Sequence, residues 1–262
     1  MTIAILGPEG TFSHECAEVV RGDEDLFFCR TIREVFELVM SDGADGIVPV
    51  ENSSAGGVGE TLDGLIRYDL RICAEYLLPI RYVFAAQNQG DVPERVYAHP
   101  QAHEQCLNFL EECGCPVIHT ASNAGSAHRA AENPKSAAVT TVMAAELCGL
   151  VIRNRGLEDM AANTTRFIRI SREQCACAAP SKCSILINPH ENRAGLLCDL
   201  LAVVAQAQVN LTRIESRPSR RKMGEYLFFL DYETTGEWDV LPERLRALAD
   251  VREFGCYTFV EP

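Results

Sequence analysis

The chain has 262 residues, of which 47% are hydrophobic and 23% are charged, a composition typical of a soluble globular protein with room for two domains. Its 24 lysines and arginines against 37 aspartates and glutamates give a net charge of −13, which disfavours binding to nucleic acids or anionic membranes. No apolar run approaches the roughly 20 residues of a membrane span. No basic segment precedes the first apolar stretch, so we expect no signal peptide and a cytoplasmic location.

The first 175 residues alternate apolar, strand-like segments with amphipathic ones, a pattern typical of α/β layering. The predicted strands cover residues 2–6, 46–50, 71–77, 81–86, 95–98, 136–140 and 166–170. The predicted helices cover residues 12–21, 31–41, 58–68, 101–112, 123–132 and 142–149. Residues 171–181 show little periodicity, and we expect a linker there.

From Lys182 onward the order of the predicted elements changes. A strand at 183–187 is followed by a helix, two strands, a second helix and a last strand near 253–260. The first of these helices has one apolar face, formed by Leu196, Leu200, Val204 and Ala207. The order βαββαβ predicts a ferredoxin-like domain.

Two polar loops follow predicted strands in the first part of the chain. Residues 7–13 are Gly-Pro-Glu-Gly-Thr-Phe-Ser, and residues 48–58 are Val-Pro-Val-Glu-Asn-Ser-Ser-Ala-Gly-Gly-Val. Each segment predicts a strand, a tight loop and a helix start, where backbone N–H groups and hydroxyls favour an anionic ligand. Ordinary capping, with Thr11 or Ser13 as the N-cap, is the simpler explanation of either loop alone.

Residues 163–167, Asn-Thr-Thr-Arg-Phe, place a hydroxyl next to a guanidinium where a polar loop enters an apolar strand. This pairing suits an acidic substrate whose leaving group needs a proton. Taken alone, the segment is better explained as a solvated strand end.

In this order along the chain, residues 7–13, 48–53, 99–101 with Gln105, and 163–167 resemble the motifs of the prephenate dehydratase family. Residues 194–197 and 215–218 are similar to the ligand motifs of that family's regulatory ACT domain. The resemblance extends over about the whole chain.

The resemblance implies a domain organisation. A bilobal catalytic region of the periplasmic-binding-protein type would cover residues 1–175. Its first lobe would be about 1–77 with 163–175, and its second lobe about 78–160. A ferredoxin-like ACT regulatory domain would cover 182–262.

The resemblance also implies an activity: conversion of prephenate to phenylpyruvate, water and CO2 in phenylalanine biosynthesis, without a metal or other cofactor. Arogenate dehydratase and a non-catalytic amino-acid sensor are the alternatives. Thr165 would hydrogen-bond or protonate the leaving hydroxyl, Arg166 would hold a carboxylate in a bidentate manner, and Asn52 would donate to the substrate. The implied substrate-binding residues are Thr11, Ser53, Gln105, Asn163 and Phe167.

Ala98 and Glu51 lie within or beside these motifs. The family usually has Ser before His-Pro-Gln, whereas this chain has Ala98, so a binding hydroxyl is missing there. Glu51 precedes Asn52, and we expect a structural role for it because a carboxylate facing a dianion is costly.

The ACT resemblance implies phenylalanine as an allosteric effector, bound where two such domains meet in a homodimer or homotetramer. The family's usual Pro before Gly195 is Ala194 in this chain. The implied effector residues are Asn192, Ala194, Gly195, Leu196, Leu197, Glu215, Ser216, Arg217 and Pro218.

The twelve cysteines are scattered along the chain. Their spacing lacks the density of a secreted disulfide scaffold, so we expect free thiols. The one-residue spacing of Cys113 and Cys115, and of Cys175 and Cys177, does not predict a zinc site.

Overall fold

A computed structural model describes residues 2–90, 92–160, 162–175 and 177–260, which form one sheet of ten strands and a second of five. The strands are β1 Thr2–Leu6, β2 Asp25–Cys29, β3 Asp45–Asn52, β4 Gly56–Gly57, β5 Arg71–Pro79, β6 Val83–Ala86, β7 Arg95–Ala98, β8 Val117–His119, β9 Ser136–Thr140, β10 Val151–Arg155, β11 Thr164–Ser171, β12 Lys182–Pro189, β13 Leu211–Pro218, β14 Tyr226–Glu233 and β15 Ala249–Phe259. The helices are α1 Phe12–Val20, α2 Ile32–Asp42, α3 Gly59–Arg67, α4 Pro100–Gln105, α5 Leu107–Cys113, α6 Asn123–Glu132, α7 Val142–Leu147, α8 Leu196–Gln206 and α9 Leu241–Leu245.

The described residues before β12 form two lobes, each built on its own sheet. In lobe one, β1 lies between the parallel strands β2 and β3, and β11 runs antiparallel between β3 and β5. Lobe two contains the five-stranded sheet in the order β10-β6-β9-β7-β8. The chain passes from lobe one to lobe two between β5 and β6 and returns between β10 and β11, so a cleft with two crossings separates the lobes.

The C-terminal domain has the element order β12-α8-β13-β14-α9-β15 and the strand order β13-β14-β12-β15. The predicted ferredoxin-like arrangement is confirmed. Its last strand, β15, pairs in parallel with β5 through Thr258 opposite Ala74 and Phe259 opposite Glu75. The sheet of the C-terminal domain is therefore continuous with the sheet of lobe one.

Short polar side chains determine where several helices begin. Thr31, Ser122 and Thr141 each accept a hydrogen bond from the backbone N–H three residues later, at the starts of α2, α6 and α7. Gly43 ends α2 and Gly114 ends α5 in the left-handed conformation that glycine adopts without steric cost. The helix expected at 101–112 is interrupted at Cys106 and forms α4 and α5.

Four cysteines depart from the expectation of free thiols, which is therefore wrong for them. Cys73 of β5 is bonded to Cys175, which follows β11. Cys183 of β12 is bonded to Cys256, its direct partner on β15. Strand pairing brings these residues together across long sequence separations, so their spacing along the chain did not reveal it.

Within the described parts of the chain, no helix combines the length and the apolar character that crossing a membrane requires. Nor do the described residues contain a group of three or more His, Cys, Asp or Glu side chains arranged to hold a metal ion.

Candidate active site

The pairing of β3 with β11 organises the candidate site. Thr165 lies opposite Asn52, and Arg166 lies opposite Glu51. Successive side chains of a strand point to opposite faces of the sheet. Thr165 and Asn52 therefore share the face at the cleft, while Arg166 and Glu51 share the face toward the C-terminal domain.

Asn52 is the centre of a polar network in the cleft. Its Nδ2 donates to Thr165 Oγ1 at 2.9 Å and to Asn163 Oδ1 at 2.9 Å. Its Oδ1 accepts hydrogen bonds from the Ser54 hydroxyl at 2.7 Å and from the backbone N–H groups of Ser54 and Ala55, both at 3.0 Å. Both Asn52 and Asn163 are buried, so this loop and the start of β11 are held in one arrangement.

Gln105 extends the network from lobe two across the cleft. Its Nε2 donates to Ser54 Oγ at 2.6 Å, and its Oε1 accepts from Asn163 Nδ2 at 2.9 Å. A cavity of about 190 Å³ adjoins these side chains and contains three carboxylates. It is lined by Ser54, Ala55, Gln101, Glu104, Gln105, Glu158, Asp159, Met160 and Asn163.

Two of these three carboxylates are partly neutralised by neighbouring groups. Glu158 pairs with Arg81 at 2.7 Å. Asp159 accepts hydrogen bonds from the backbone N–H groups of Leu107 and Asn108 at the start of α5, where the helix dipole favours a negative charge.

The lobes also touch at a second place. Thr141 Oγ1 donates to the Gly10 carbonyl at 2.6 Å, and Glu15 Oε1 accepts from Met143 N–H at 3.3 Å. Gly10 has a φ of 82°, and a Cβ there would lie 2.9 Å from Ala144 Cα, so the close approach requires glycine. Burial raises the pKa of Glu15 despite the hydrogen bond from Met143.

Two residues expected to bind substrate, Thr11 and Ser53, hydrogen-bond to backbone groups in the structure. The Thr11 hydroxyl caps α1 by accepting from His14 N–H and donates to the Pro8 carbonyl, which is the capping alternative noted above. The Ser53 hydroxyl donates to the Ala162 carbonyl and accepts from Thr164 N–H.

Phe167 is only 2% exposed and belongs to the core of lobe one. The pairing of β11 with β3 and β5 turns its ring into this core, and a contact between Phe167 and substrate stays a prediction. It packs there with Ile3, Ile5, Cys16, Ala17, Ile47, Ala74 and Tyr76.

Arg166 points toward the C-terminal domain. Its guanidinium donates from Nε to Glu75 at 2.7 Å, from Nη1 to Asp231 at 2.5 Å and from Nη2 to Tyr257 Oη at 2.8 Å. Burial alone lowers the pKa of Arg166, but Asp231, Tyr257 and Glu75 outweigh it and raise that pKa above its ordinary value. Arg166 is 7% exposed and makes these bonds at the domain interface, on the face of β11 opposite Thr165. Binding of a substrate carboxylate by Arg166 stays a prediction.

Ala98 and His99 lie at the start of α4. Ala98 is buried, and its carbonyl accepts from Thr120 N–H at 3.0 Å. His99 Nδ1 accepts from Gln101 N–H at 3.3 Å, and burial lowers its pKa. His99 therefore caps α4 through Nδ1.

Ser54 is the one member of the polar network that we did not single out from the sequence. Its position directly after Asn52 and Ser53 was the available signal. Residue type alone does not show which of the two adjacent serines joins the network. The geometry of the turn directs Ser54, and not Ser53, toward Gln105.

The segments expected to bind the effector lie on two sides of the C-terminal domain. Asn192 and Leu196 line a cavity of about 280 Å³ that also includes Tyr226 and Phe228. Gly195, with a φ of 83°, is the N-cap of α8. Ala194 precedes this cap, and Leu197 is 39% exposed on the helix.

On β13 the side chains alternate between two faces. Arg217 pairs with Asp63 of α3 at 2.9 Å, and Glu215 lies 3.3 Å from Arg213. Ser216 and Pro218 are exposed. Glu215 and Arg217 thus face lobe one, and within one chain they do not line the cavity that contains Asn192.

Comparison with known proteins decides the family. A family profile described as prephenate dehydratase matches residues 3–175. The prephenate dehydratase of Methanocaldococcus jannaschii is 34% identical over 92% of this chain and 90% of that protein. The chain belongs to the prephenate dehydratase family. A second profile, described as ACT domain, matches residues 190–235.

Solved structures agree with this family assignment. A prephenate dehydratase from Arthrobacter aurescens, in complex with L-Phe, has a TM-score of 0.89 and 29% identity, covering 98% of this chain and 90% of that one. A protein described as GqqA, a novel type of quorum quenching acylase, has a TM-score of 0.87 and 26% identity, covering 99% and 98%. The fold of this prephenate dehydratase family member is thus also the fold of a protein described as an acylase.

Proposed function

We propose that this chain converts prephenate to phenylpyruvate, CO2 and water in the cleft between its two lobes. The observation that carries the proposal is the contact between Thr165 and Asn52. Because Thr165 Oγ1 accepts a hydrogen bond from Asn52 Nδ2, its own hydrogen is directed elsewhere. The Thr165 hydroxyl is thus a positioned donor for the hydroxyl that leaves the substrate.

The reaction needs a proton but no external oxidant. The bond from the ring to its carboxylate breaks, and the electron pair completes the aromatic ring as the C–O bond at the opposite carbon breaks. Prephenate dianion and one proton yield phenylpyruvate anion, CO2 and water. The hydroxyl leaves as water if a proton reaches it during C–O cleavage, and Thr165 supplies a hydrogen bond there.

The donors around the site are mostly neutral amides and hydroxyls. Asn52, Asn163 and Gln105 form a connected set, with Asn52 and Asn163 6% and 2% exposed. A buried neutral environment stabilises the dispersed charge of the transition state more than the concentrated charge of a ring carboxylate. These three side chains therefore bind and orient the substrate, while Thr165 acts on the leaving group.

The same geometry argues against acylase chemistry. Acyl transfer to a hydroxyl requires an adjacent general base. Among the residues that the structure describes, neither Thr165 nor Ser54 makes a hydrogen bond to a histidine or a carboxylate; Ser54 bonds to Asn52, Asn163 and Gln105.

The direct test measures phenylpyruvate formed from prephenate by the purified full-length chain, with arogenate in a parallel reaction. We expect turnover of prephenate and lower turnover of arogenate. Faster formation of phenylalanine from arogenate would reassign the substrate. Absence of turnover with both substrates, from folded protein, would support the non-catalytic sensor and reject the proposal.

The proposal includes regulation by phenylalanine. The cavity at Asn192 and Leu196 offers an amide beside apolar and aromatic side chains, which suits the polar backbone and ring of a free aromatic amino acid. The exposed edge of β13 is available for pairing two C-terminal domains, as a homodimer or homotetramer would require. Titration calorimetry and initial rates with phenylalanine should show binding together with inhibition, and Asn192→Ala should weaken both.

A further inference from the structure

The two strands that carry the candidate catalytic residues also carry the contacts to the C-terminal domain. Thr165 and Asn52 meet in the cleft, and their chain neighbours Arg166 and Glu51 meet on the opposite face. Glu51 Oε2 lies 3.8 Å from Arg166 Nη1 and 3.5 Å from Arg213 Nε of β13.

Arg166 is held from both sides of the domain interface. Glu75 of β5 belongs to lobe one, whereas Asp231 of β14 and Tyr257 of β15 belong to the C-terminal domain. Ser184 of β12 hydrogen-bonds to both Asp231 and Tyr257. One guanidinium thus joins β5 and β11 of lobe one to β14 and β15 of the C-terminal domain, and Ser184 connects β12 to the same network.

The burial of this network makes its geometry restrictive. Arg166 is 7% exposed and Asp231 is 5% exposed. Burial alone raises the pKa of Asp231, but Arg166 and Ser184 overcome this and lower it, so the carboxylate stays charged. If the two charges separated, Arg166 would keep Glu75, but the buried Asp231 would keep only Arg213 at 3.9 Å as a cation, which is unfavourable. A displacement of β14 therefore pulls on the backbone of β11 at Arg166.

From this arrangement we propose that Arg166 and Asp231 are positioning residues for Thr165. They hold β11 in the register and rotation that keep the Thr165 hydroxyl 2.9 Å from Asn52 Nδ2, and they connect that hydroxyl to the regulatory domain. The proposal rests on the proposed function only for its kinetic consequence. The effect on the geometry of Thr165 is independent of the reaction.

A purely structural interface makes a different prediction. If the ion pair only attached one domain to the other, its loss would lower stability but leave the turnover of folded enzyme unchanged. If the pair positions Thr165, its loss lowers kcat in folded enzyme, because misplacement of a catalytic group by about 1 Å costs up to about 100-fold in rate. KM should change little, since Gln105 and Asn163 remain in place.

The test compares two identical substitutions at the domain interface of the full-length protein. Asp231→Asn removes the charge that faces Arg166. Asp63→Asn removes the charge that faces Arg217 and Arg220, another contact between the domains that is not attached to β3 or β11. We expect Asp231→Asn to lower kcat by about 10- to 100-fold with KM within about 2-fold, and Asp63→Asn to leave kcat unchanged.

A second readout does not depend on turnover. The methyl resonance of Thr165, assigned by its loss in Thr165→Ser, should shift in Asp231→Asn and stay in place in Asp63→Asn. The double variant Arg166→Lys with Asp231→Asn should have a kcat no lower than that of the slower single variant, because both substitutions act on one contact. If the parent enzyme does not turn over prephenate, the proposed function fails, while the methyl resonance still decides the positioning role.

If the Asp231→Asn protein does not fold, Tyr257→Phe tests the proposal instead. Tyr257→Phe removes only the hydroxyl that Arg166 contacts at 2.8 Å and keeps the buried ring. We expect a shifted Thr165 methyl resonance and a several-fold lower kcat in this variant. An unchanged resonance and kcat in folded Asp231→Asn or Tyr257→Phe, or equal losses of kcat in Asp63→Asn, would overturn the proposal.

Discussion

Gln105 of lobe two and Asn163 of lobe one are joined by a hydrogen bond of 2.9 Å across the cleft. This bond belongs to the same network that fixes Asn52 and the Thr165 hydroxyl. One hydrogen-bond network therefore both holds the lobes together and orients the proposed catalytic group. The substrate must fit between the two lobes.

Removal of the Thr165 hydroxyl should separate catalysis from stability. We expect Thr165→Ala to lower kcat by about 100-fold or more, because the leaving hydroxyl loses its donor. The melting temperature should change little, since the Asn52 amide keeps Asn163 as an acceptor. Thr165→Ser keeps the hydroxyl and should retain appreciable activity. A near-normal kcat in the alanine variant would remove Thr165 from the mechanism.

A charge placed at Gln105 should weaken binding of the dianionic substrate. Gln105→Glu replaces the Nε2 donor, now 2.6 Å from Ser54 Oγ, with a second acceptor, and its charge repels substrate. We expect KM to rise by about 10-fold or more, since a lost hydrogen bond to a charged group is worth about 1.5 to 3 kcal/mol. Gln87→Glu adds the same charge to lobe two beyond β6 and is the matched control. Steady-state kinetics on both variants would show equal KM values if Gln105 were remote from substrate.

Truncation of Arg166 should destabilise the whole chain. Arg166→Ala removes the nearest cation of the buried Asp231 carboxylate, which keeps only Arg213 at 3.9 Å, whereas Glu75 keeps its pair with Lys182 at 2.7 Å. We expect a loss of about 3 to 5 kcal/mol in the free energy of unfolding. Arg33→Ala removes an arginine from an exposed pair with Glu37, where solvent screening leaves little net interaction. Denaturant titration should show a shifted midpoint only for Arg166→Ala. A loss confined to KM, without a shift, would support the role of Arg166 as a substrate ligand.

The lowered pKa of Asp231 makes the domain interface sensitive to acid. Its folded pKa lies below the ordinary value, which is about 4 for an aspartate. The stabilisation is therefore fully present above about pH 4 and is lost as the pH falls through the folded pKa. Unfolding free energies measured from pH 7 to pH 2 should fall more steeply for the parent than for Asp231→Asn. Parallel curves would show that Asp231 does not titrate at the interface.

Cysteine labelling should distinguish three classes of sulfur. Burial raises the pKa of Cys16 to about 12 and that of Cys29 to about 11, the latter with a contribution from Glu34, so these thiols should react only after unfolding. Cys198 is exposed and should react first in the native protein. Alkylation after unfolding without reductant should modify the eight free cysteines. Modification of all twelve before reduction would show that neither disulfide forms.

Much of the fold follows from local patterns along the chain. Alternating apolar and amphipathic segments predict most of the strands and helices of the two lobes, and the βαββαβ order predicts the C-terminal domain. The prediction misses the two-residue β4, and it also misses β2, β8 and β10. These strands carry charged or polar residues, as in Asp25–Cys29 and Val151–Arg155, and neighbouring strands rather than apolar periodicity keep them extended.

The sequence alone determined the motifs, their order and the residue types that meet in the cleft: Asn52, Gln105, Asn163 and Thr165. Only the tertiary structure decided which face of β11 each side chain occupies. Alternation requires Thr165 and Arg166 to point apart, but the register with β3 and the position of the C-terminal domain determine which of them meets the cleft. The pairing of Cys73 with Cys175 was likewise decided by long-range contacts between strands, which local sequence patterns do not encode.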